Sequence, residues 1–125
     1  MSVDTLLQGG LERNLPLNIT ALTVTDLYTT GDNFSSLASV AITNNSSLAC
    51  EVELFHYDVD TNVETIYAVD VPAFSTHMAE CPMRLLLTEK VQIQVETINV
   101  ITALPQIIKY APNETPHAGK FSTNN

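Results

Sequence analysis

Residues able to do chemistry are few in this chain, and their spacing limits what they can do. Asp58, Asp60, Asn62 and Glu64 put oxygen donors at every second position, as in the first half of a calcium loop. The sixth position of such a loop is Val63, where the sharp turn needs glycine, and the twelfth is Val69, where a bidentate glutamate belongs. A plain polar turn with no metal is the expectation. His56, His77 and His117 fall in two expected strands and a tail, and no G-x-S-x-G or equivalent brackets a serine, so no nucleophile, base and orienter come together. His56 and His77 are expected as strand side chains that meet solvent or a carbonyl. Gly9-Gly10 lacks the Gly-Lys-Ser/Thr that would complete a phosphate loop. Tyr28, Tyr57, Tyr67 and Tyr110 have rings that stack on sugars, yet tyrosine on a strand is ordinary sheet packing. The expectation is therefore a non-enzyme with no cofactor, metal or catalytic residue.

Cys50 and Cys81 have 30 residues between them and no CxxC or histidine spacing that would suggest zinc. They read as two small half-buried hydrophobes, reduced in a cytoplasm. Residues 1–16 contain no basic segment followed by a long apolar run, so no signal peptide is expected, and no stretch of about 18 apolar residues is available to span a bilayer. The Asn-x-Ser/Thr sequons at Asn18, Asn33, Asn44, Asn45 and Asn113 carry no weight without a secretory route. Five basic against 14 acidic residues leave a net charge of −9, which repels a phosphate backbone, and Arg13, Arg84, Lys90, Lys109 and Lys120 are too scattered to form a stripe. Nucleic acid and anionic membrane are thereby excluded as partners.

The elements that position these residues are strands. With 45% hydrophobic and 15% charged residues, and Val, Ile, Thr and Leu enriched, the chain reads as one globular β domain. At 125 residues it is long enough to bury a core without a disulfide or a metal. Residues 37–59 look central. Val40 and Ile42 alternate with their neighbours, Asn44-Asn45-Ser46-Ser47 supplies turn chemistry, and Cys50, Val52 and Leu54 then alternate with Glu51, Glu53 and Phe55. That pattern predicts a β-hairpin with one wet face. Further strands are expected over 17–24, 26–30, 63–71, 74–81 and 91–95, with a last run over 98–110 interrupted by Pro105. Seven or eight short strands at spacings of about 8–12 residues, with no amphipathic crossover helix, predict an antiparallel β-sandwich or jelly roll.

The domain is expected over 17–110, with arms at 1–16 and 111–125. The first arm is broken by Gly9-Gly10 and Pro16, and the second is polar and rich in Pro, Asn and Thr. Leu6, Leu7, Leu11 and Phe121 are the apolar anchors through which the arms are expected to contact other chains. Each offers roughly 1.5–3 kcal/mol on burial against the entropy of ordering its surroundings.

The order of turns and strands resembles small β-sandwich virion proteins of tailed bacteriophages over roughly residues 22–110. The resemblance is carried by Leu27-Tyr28-Thr29-Thr30-Gly31, by Ile42-Thr43-Asn44-Asn45-Ser46, and by Val71-Pro72-Ala73-Phe74-Ser75-Thr76. Leu85-Leu86-Leu87 before Val91-Gln92-Ile93-Gln94-Val95, and Asn99-Val100-Ile101, complete it. Phe74 and Glu89-Lys90 stand where that pattern would have glycine. The resemblance implies a non-enzymatic structural subunit of the particle, in the decoration, neck or tail region. Such a subunit is made in the host cytoplasm, assembles as a symmetric homo-oligomer, and has copies of itself and other virion proteins as partners. A stand-alone carbohydrate- or peptide-binding β-sandwich module is the alternative, and a hydrolase ranks last for want of a base.

Overall fold

The computed structural model describes residues 10–12, 14–31, 34–59 and 62–109. These form ten strands: β1 (Gly10–Glu12), β2 (Leu17–Asn18), β3 (Thr25–Thr29), β4 (Ser35–Asn44), β5 (Cys50–Asp58), β6 (Asn62–Val71), β7 (Ser75–Ala79), β8 (Met83–Leu85), β9 (Lys90–Val95) and β10 (Ile101–Lys109). Every pairing is antiparallel. One sheet runs β1-β10-β4-β7, with β2 also on β10 and β8 also on β4, and the other runs β3-β9-β5-β6. The two sheets pack face to face as a β-sandwich.

Residues 37–59, expected as a β-hairpin, are not one. β4 pairs with β10, β7 and β8, whereas β5 lies in the opposite sheet between β6 and β9. The Asn-Ser run is an arch that carries the chain across the core. The hairpin in this region is instead β5–β6, where Asp58 opposes Asn62. Residues 60–61 of the Asp58–Glu64 turn lie outside the described residues.

Alternation holds along most strands and slips where a bulge intervenes, because one extra residue moves every later side chain to the other face. On β4 the buried positions are Ser35, Leu37 and Ser39, then Val40, Ile42 and Asn44, and the change of phase coincides with a register shift opposite Gln106 and Ile107. β6 likewise shifts register opposite Leu54 and Phe55, so Tyr67 pairs with Leu54 but Thr65 with Phe55. The expected single alternation over 63–71 is therefore two phases joined at Ile66.

The expected strand over 17–24 is only Leu17–Asn18, with Ile19 fully buried beyond it and residues 20–24 looped. Pro105, expected to interrupt the last run, lies inside β10. It is tolerated because its carbonyl points to the edge between β1 and β2, where it accepts a bond from Asn14 Nδ2 at 3.3 Å. A missing N–H there takes nothing from the ladder to β4. Residues 10–12, assigned to the N-terminal arm, pair with 107–109 of β10.

The core is the two inward faces, with Leu37, Ile42, Ile101 and Ile107 from one sheet and Val52, Leu54, Val71, Val91 and Ile93 from the other, all buried. Cys50 is buried among them, and both cysteines are free thiols. Among the described residues no helix is long and apolar enough to cross a membrane.

Candidate functional site

The sandwich has two ends, each made of loops. At one end the connections 19–24, 45–49, 72–74 and 96–100 meet. Asn45 N donates to Val100 O, Asn99 N to Ile19 O and Phe74 N to Ser46 O, at 2.8, 2.8 and 3.1 Å. Asn44, fully buried, holds this end together. Its Nδ2 donates to Leu48 O at 2.8 Å and Val71 O at 3.0 Å, with Pro72 O at 3.3 Å, and its Oδ1 accepts from Ser46 N at 2.9 Å. One neutral side chain thus ties the arch between sheets to the β6–β7 turn, with both its donor and acceptor used.

Phe74 and Leu48 stand out from this rigid base, 73% and 74% exposed, with Leu22 56% exposed in the neighbouring loop. Phe74 has φ 50° and Asn99 φ 66°. Asn accepts that left-handed region, but for a bulky residue it costs about 1–2 kcal/mol. The position at which glycine would be expected does adopt a glycine-like conformation, with a phenylalanine in it.

The outer face of the second sheet forms an open groove of about 470 Å³ near the same end. Glu51, Glu53, Asp70, Gln94 and Glu96 line it, and among the described residues neither a basic nor an aromatic side chain does. Glu96 Oε1 accepts from Glu51 N at 3.0 Å, Glu53 Oε2 accepts from Thr65 Oγ1 at 2.8 Å, and Gln94 Nε2 reaches Leu22 O at 3.0 Å. The last contact places the Leu22 loop beside the groove.

The other end is built on an ionisable pair. Glu89, buried in the 86–89 turn, accepts from Leu86 N at 2.9 Å, and its Oε1 lies 3.0 Å from His56 Nε2, without the alignment of a hydrogen bond. Thr30 N donates to Glu89 O at 2.9 Å, while the buried Thr30 Oγ1 has no protein partner among the described residues. Thr88 has φ 70° beside Glu89-Lys90, the second place where glycine would be expected. Val59, Val63, Leu86 and Leu87 are exposed at this end.

His56 therefore meets a carboxylate, not the solvent or carbonyl expected of it. His77 Nε2 and Tyr67 OH are 2.7 Å apart, with ring centroids at 5.7 Å, and so link β7 to β6 across the sheets. Tyr28 OH pairs with Ser35 Oγ at 3.1 Å, and Lys90 Nζ lies 5.4 Å from the Tyr57 ring centroid. Asp26 accepts from Gln92 at 2.8 Å and from Lys90 at 3.1 Å, and the Gln92 bond, then Lys90, hold its carboxyl below the ordinary range. Burial pushes the Cys81 thiol up. Among the described residues no group of three or more His, Cys, Asp or Glu side chains is arranged to hold a metal ion. His117, Leu6, Leu7 and Phe121 lie outside the described residues, and Leu11 lies on β1 opposite Ile108.

Sequence reasoning missed Asn44 as more than a turn former, and it missed Glu89. The visible signal for Phe74 was a large aromatic at a place where the turn pattern asks for glycine.

No family model matches the chain. No curated protein matches it either. Among solved structures it is similar to the CBM22-1–GH10 modules of Clostridium thermocellum endo-1,4-beta-D-xylanase 10B complexed with xylohexaose, at 15% identity and a TM-score of 0.48. That likeness covers 82% of this chain and 22% of the other, so the chain spans about a fifth of that neighbour's length. At that score it carries no argument about function.

Proposed function

We propose that this chain is a non-enzymatic structural subunit of a tailed-bacteriophage virion, a decoration, neck or tail protein that assembles through repeated protein–protein contacts. The observation that carries the proposal is the exposure of large apolar side chains at both ends of one rigid sandwich. Leu22, Leu48 and Phe74 stand at one end, and Val59, Leu86 and Leu87 at the other. A module that works alone needs one binding surface, whereas a subunit fixed among neighbours needs contacts on several sides, each weak and many times repeated. The acidic balance supports a place away from packaged DNA. The strand order, with β1 and β2 as one ribbon and β7 and β8 as another, supports reading the sandwich as an eight-ribbon jelly roll. The partners on this reading are copies of the chain and other virion proteins.

A peptide-binding module acting alone is the second reading, favoured by the groove over the second sheet. Among the described residues no aromatic side chain lines the groove for a sugar ring to stack on, which counts against a carbohydrate ligand. Mass spectrometry of purified particles made from the genome that encodes this chain decides between the two. Many copies per particle are expected. Absence from the particle, together with a monomer that binds a peptide saturably, would overturn the virion reading.

A further inference from the structure

Phe74 is the residue whose identity the fold does not explain. Its backbone N–H holds Ser46 O, a bond that glycine or asparagine would keep, and its φ of 50° is one that either would adopt with less strain. Its ring is 73% exposed, so it returns nothing to the core. A strained, solvent-facing aromatic persists only where its surroundings over-determine it, and here the fully buried Asn44 does so by anchoring Ser46, Leu48 and the Val71–Pro72 carbonyls beneath it. Leu48, with similar exposure, lies on the Asn44-held arch whose Ser46 O accepts from Phe74 N. Rigid aromatic and aliphatic anchors on a preorganised base are what binding hot spots are made of, because little side-chain or loop entropy remains to be lost on docking.

We propose that the Leu48–Phe74 tip is a docking site for a protein partner that presents an apolar segment flanked by lysine or arginine. The choice of partner rests on charge. Three residues past Leu48 and four before Phe74 the chain reaches Glu51 and Asp70, which oppose each other across β5 and β6, and Glu53 and Glu96 extend the same acidic groove, which among the described residues no basic side chain lines. A second copy docked tip to tip would set these carboxylates against their own kind, and an anionic bilayer is repelled by them in the same way. A basic flank meets them instead, while the apolar segment covers Phe74 and Leu48. The proposal rests on the assembly reading for the occupant being a protein, and it adds the site and the chemistry of its partner.

The test uses the full chain and its Phe74→Asn and Phe74→Gly variants. Removing a strained side chain that has no structural role should leave the melting temperature unchanged or raise it by roughly 2–6 °C. A fall in melting temperature in both variants would make Phe74 a packing residue and overturn the proposal. Binding is read by amide chemical-shift mapping with a short amidated peptide of alternating lysine and leucine as probe. The same peptide with glutamate for lysine and neutral phosphatidylcholine vesicles serve as the other arms. Expected are shifts confined to 46–51, 70–75 and 96–99, weakened at least tenfold in Phe74→Asn and absent with the glutamate peptide. Equal binding by Phe74→Asn, equal binding of the glutamate peptide, preference for vesicles, or no shift at millimolar lysine peptide would each overturn it. The assembly reading fails separately, on the composition of the particle, whatever the tip binds.

Discussion

The two ends of the sandwich solve the same problem with different chemistry. Each must satisfy buried backbone groups where strands stop and loops turn back. The end at Asn44 does so with one neutral amide whose donor and acceptor are both engaged, tying two loops together. The end at Glu89 uses a buried carboxyl group that accepts from Leu86 N but meets the His56 imidazole out of alignment, and among the described residues it leaves the Thr30 hydroxyl without a protein partner. A neutral, fully satisfied network keeps its bonds at every pH and adds rigidity, whereas a partly satisfied one leaves desolvation uncompensated. Backbone strain is held at both ends, by Phe74 over the Asn44 network and by Thr88 beside Glu89, and only the first rests on a fully bonded side chain.

The largest test of this contrast is Asn44→Ala. It strands the Leu48 and Val71 carbonyls and frees the 45–49 arch, so a loss of about 2–4 kcal/mol is expected in urea denaturation. Rapid hydrogen exchange should appear at Ser46 and Phe74. A loss below about 1 kcal/mol would mean that the arch is held by something other than this amide.

Next in size is Glu89→Ala, expected to cost about 1–2 kcal/mol by removing the acceptor of Leu86 N. A double-mutant cycle with His56→Ala measures how much of this is the misaligned pair, and a coupling under about 0.5 kcal/mol is expected. A coupling as large as the single-variant loss would show the two ends to be equally well bonded, which breaks the comparison.

Thr30→Val should move the other way. Replacing a buried hydroxyl that has no protein partner among the described residues with a methyl of similar shape is expected to stabilise by about 0.5–1 kcal/mol, read as a higher denaturation midpoint at unchanged slope. Destabilisation would show that the hydroxyl has a partner after all.

The smallest effect belongs to neither end. Asp26, on the exposed side of the second sheet, is held below its ordinary range by Gln92 and then by Lys90. A depressed carboxylate stabilises above its unfolded pKa, about 4, and loses that contribution as pH falls through the folded value. Because the pair is open to solvent, Asp26→Asn should cost only a few tenths of a kcal/mol at pH 7, with the difference from the parent fading in acid as the carboxylate is protonated. A difference that persists in acid would assign the effect to packing and not to charge.

Much of the fold was legible because period-2 alternation is a local property of each strand. Val91, Ile93 and Val95 are buried between Lys90, Gln92 and Gln94, as their sequence reads, and so are Cys50, Val52 and Leu54 around Glu51 and Glu53. Alternation and turn residues thus determine that the chain is an antiparallel β domain, and the scarcity of basic residues sets its net charge of −9. Which strand pairs with which is a different kind of fact. Asn44-Asn45-Ser46-Ser47 supports a reversal whether the chain returns beside itself or arches to the opposite sheet. Only the distant partners β10 and β7 for β4, and β9 and β6 for β5, decide for the arch. Bulges at Ala38 and Ile66 leave no local signature, since they are set by the register of a neighbour. Pro105 reads as a break from its missing donor, yet the split edge of β1 and β2 gives it a place where no donor is needed. The site follows the same division. Phe74 and Leu48 are visible as apolar residues in polar turns, but their joint exposure on a base fixed by Asn44 exists only once residues from β4, β6 and two loops are brought together by pairings far apart along the chain.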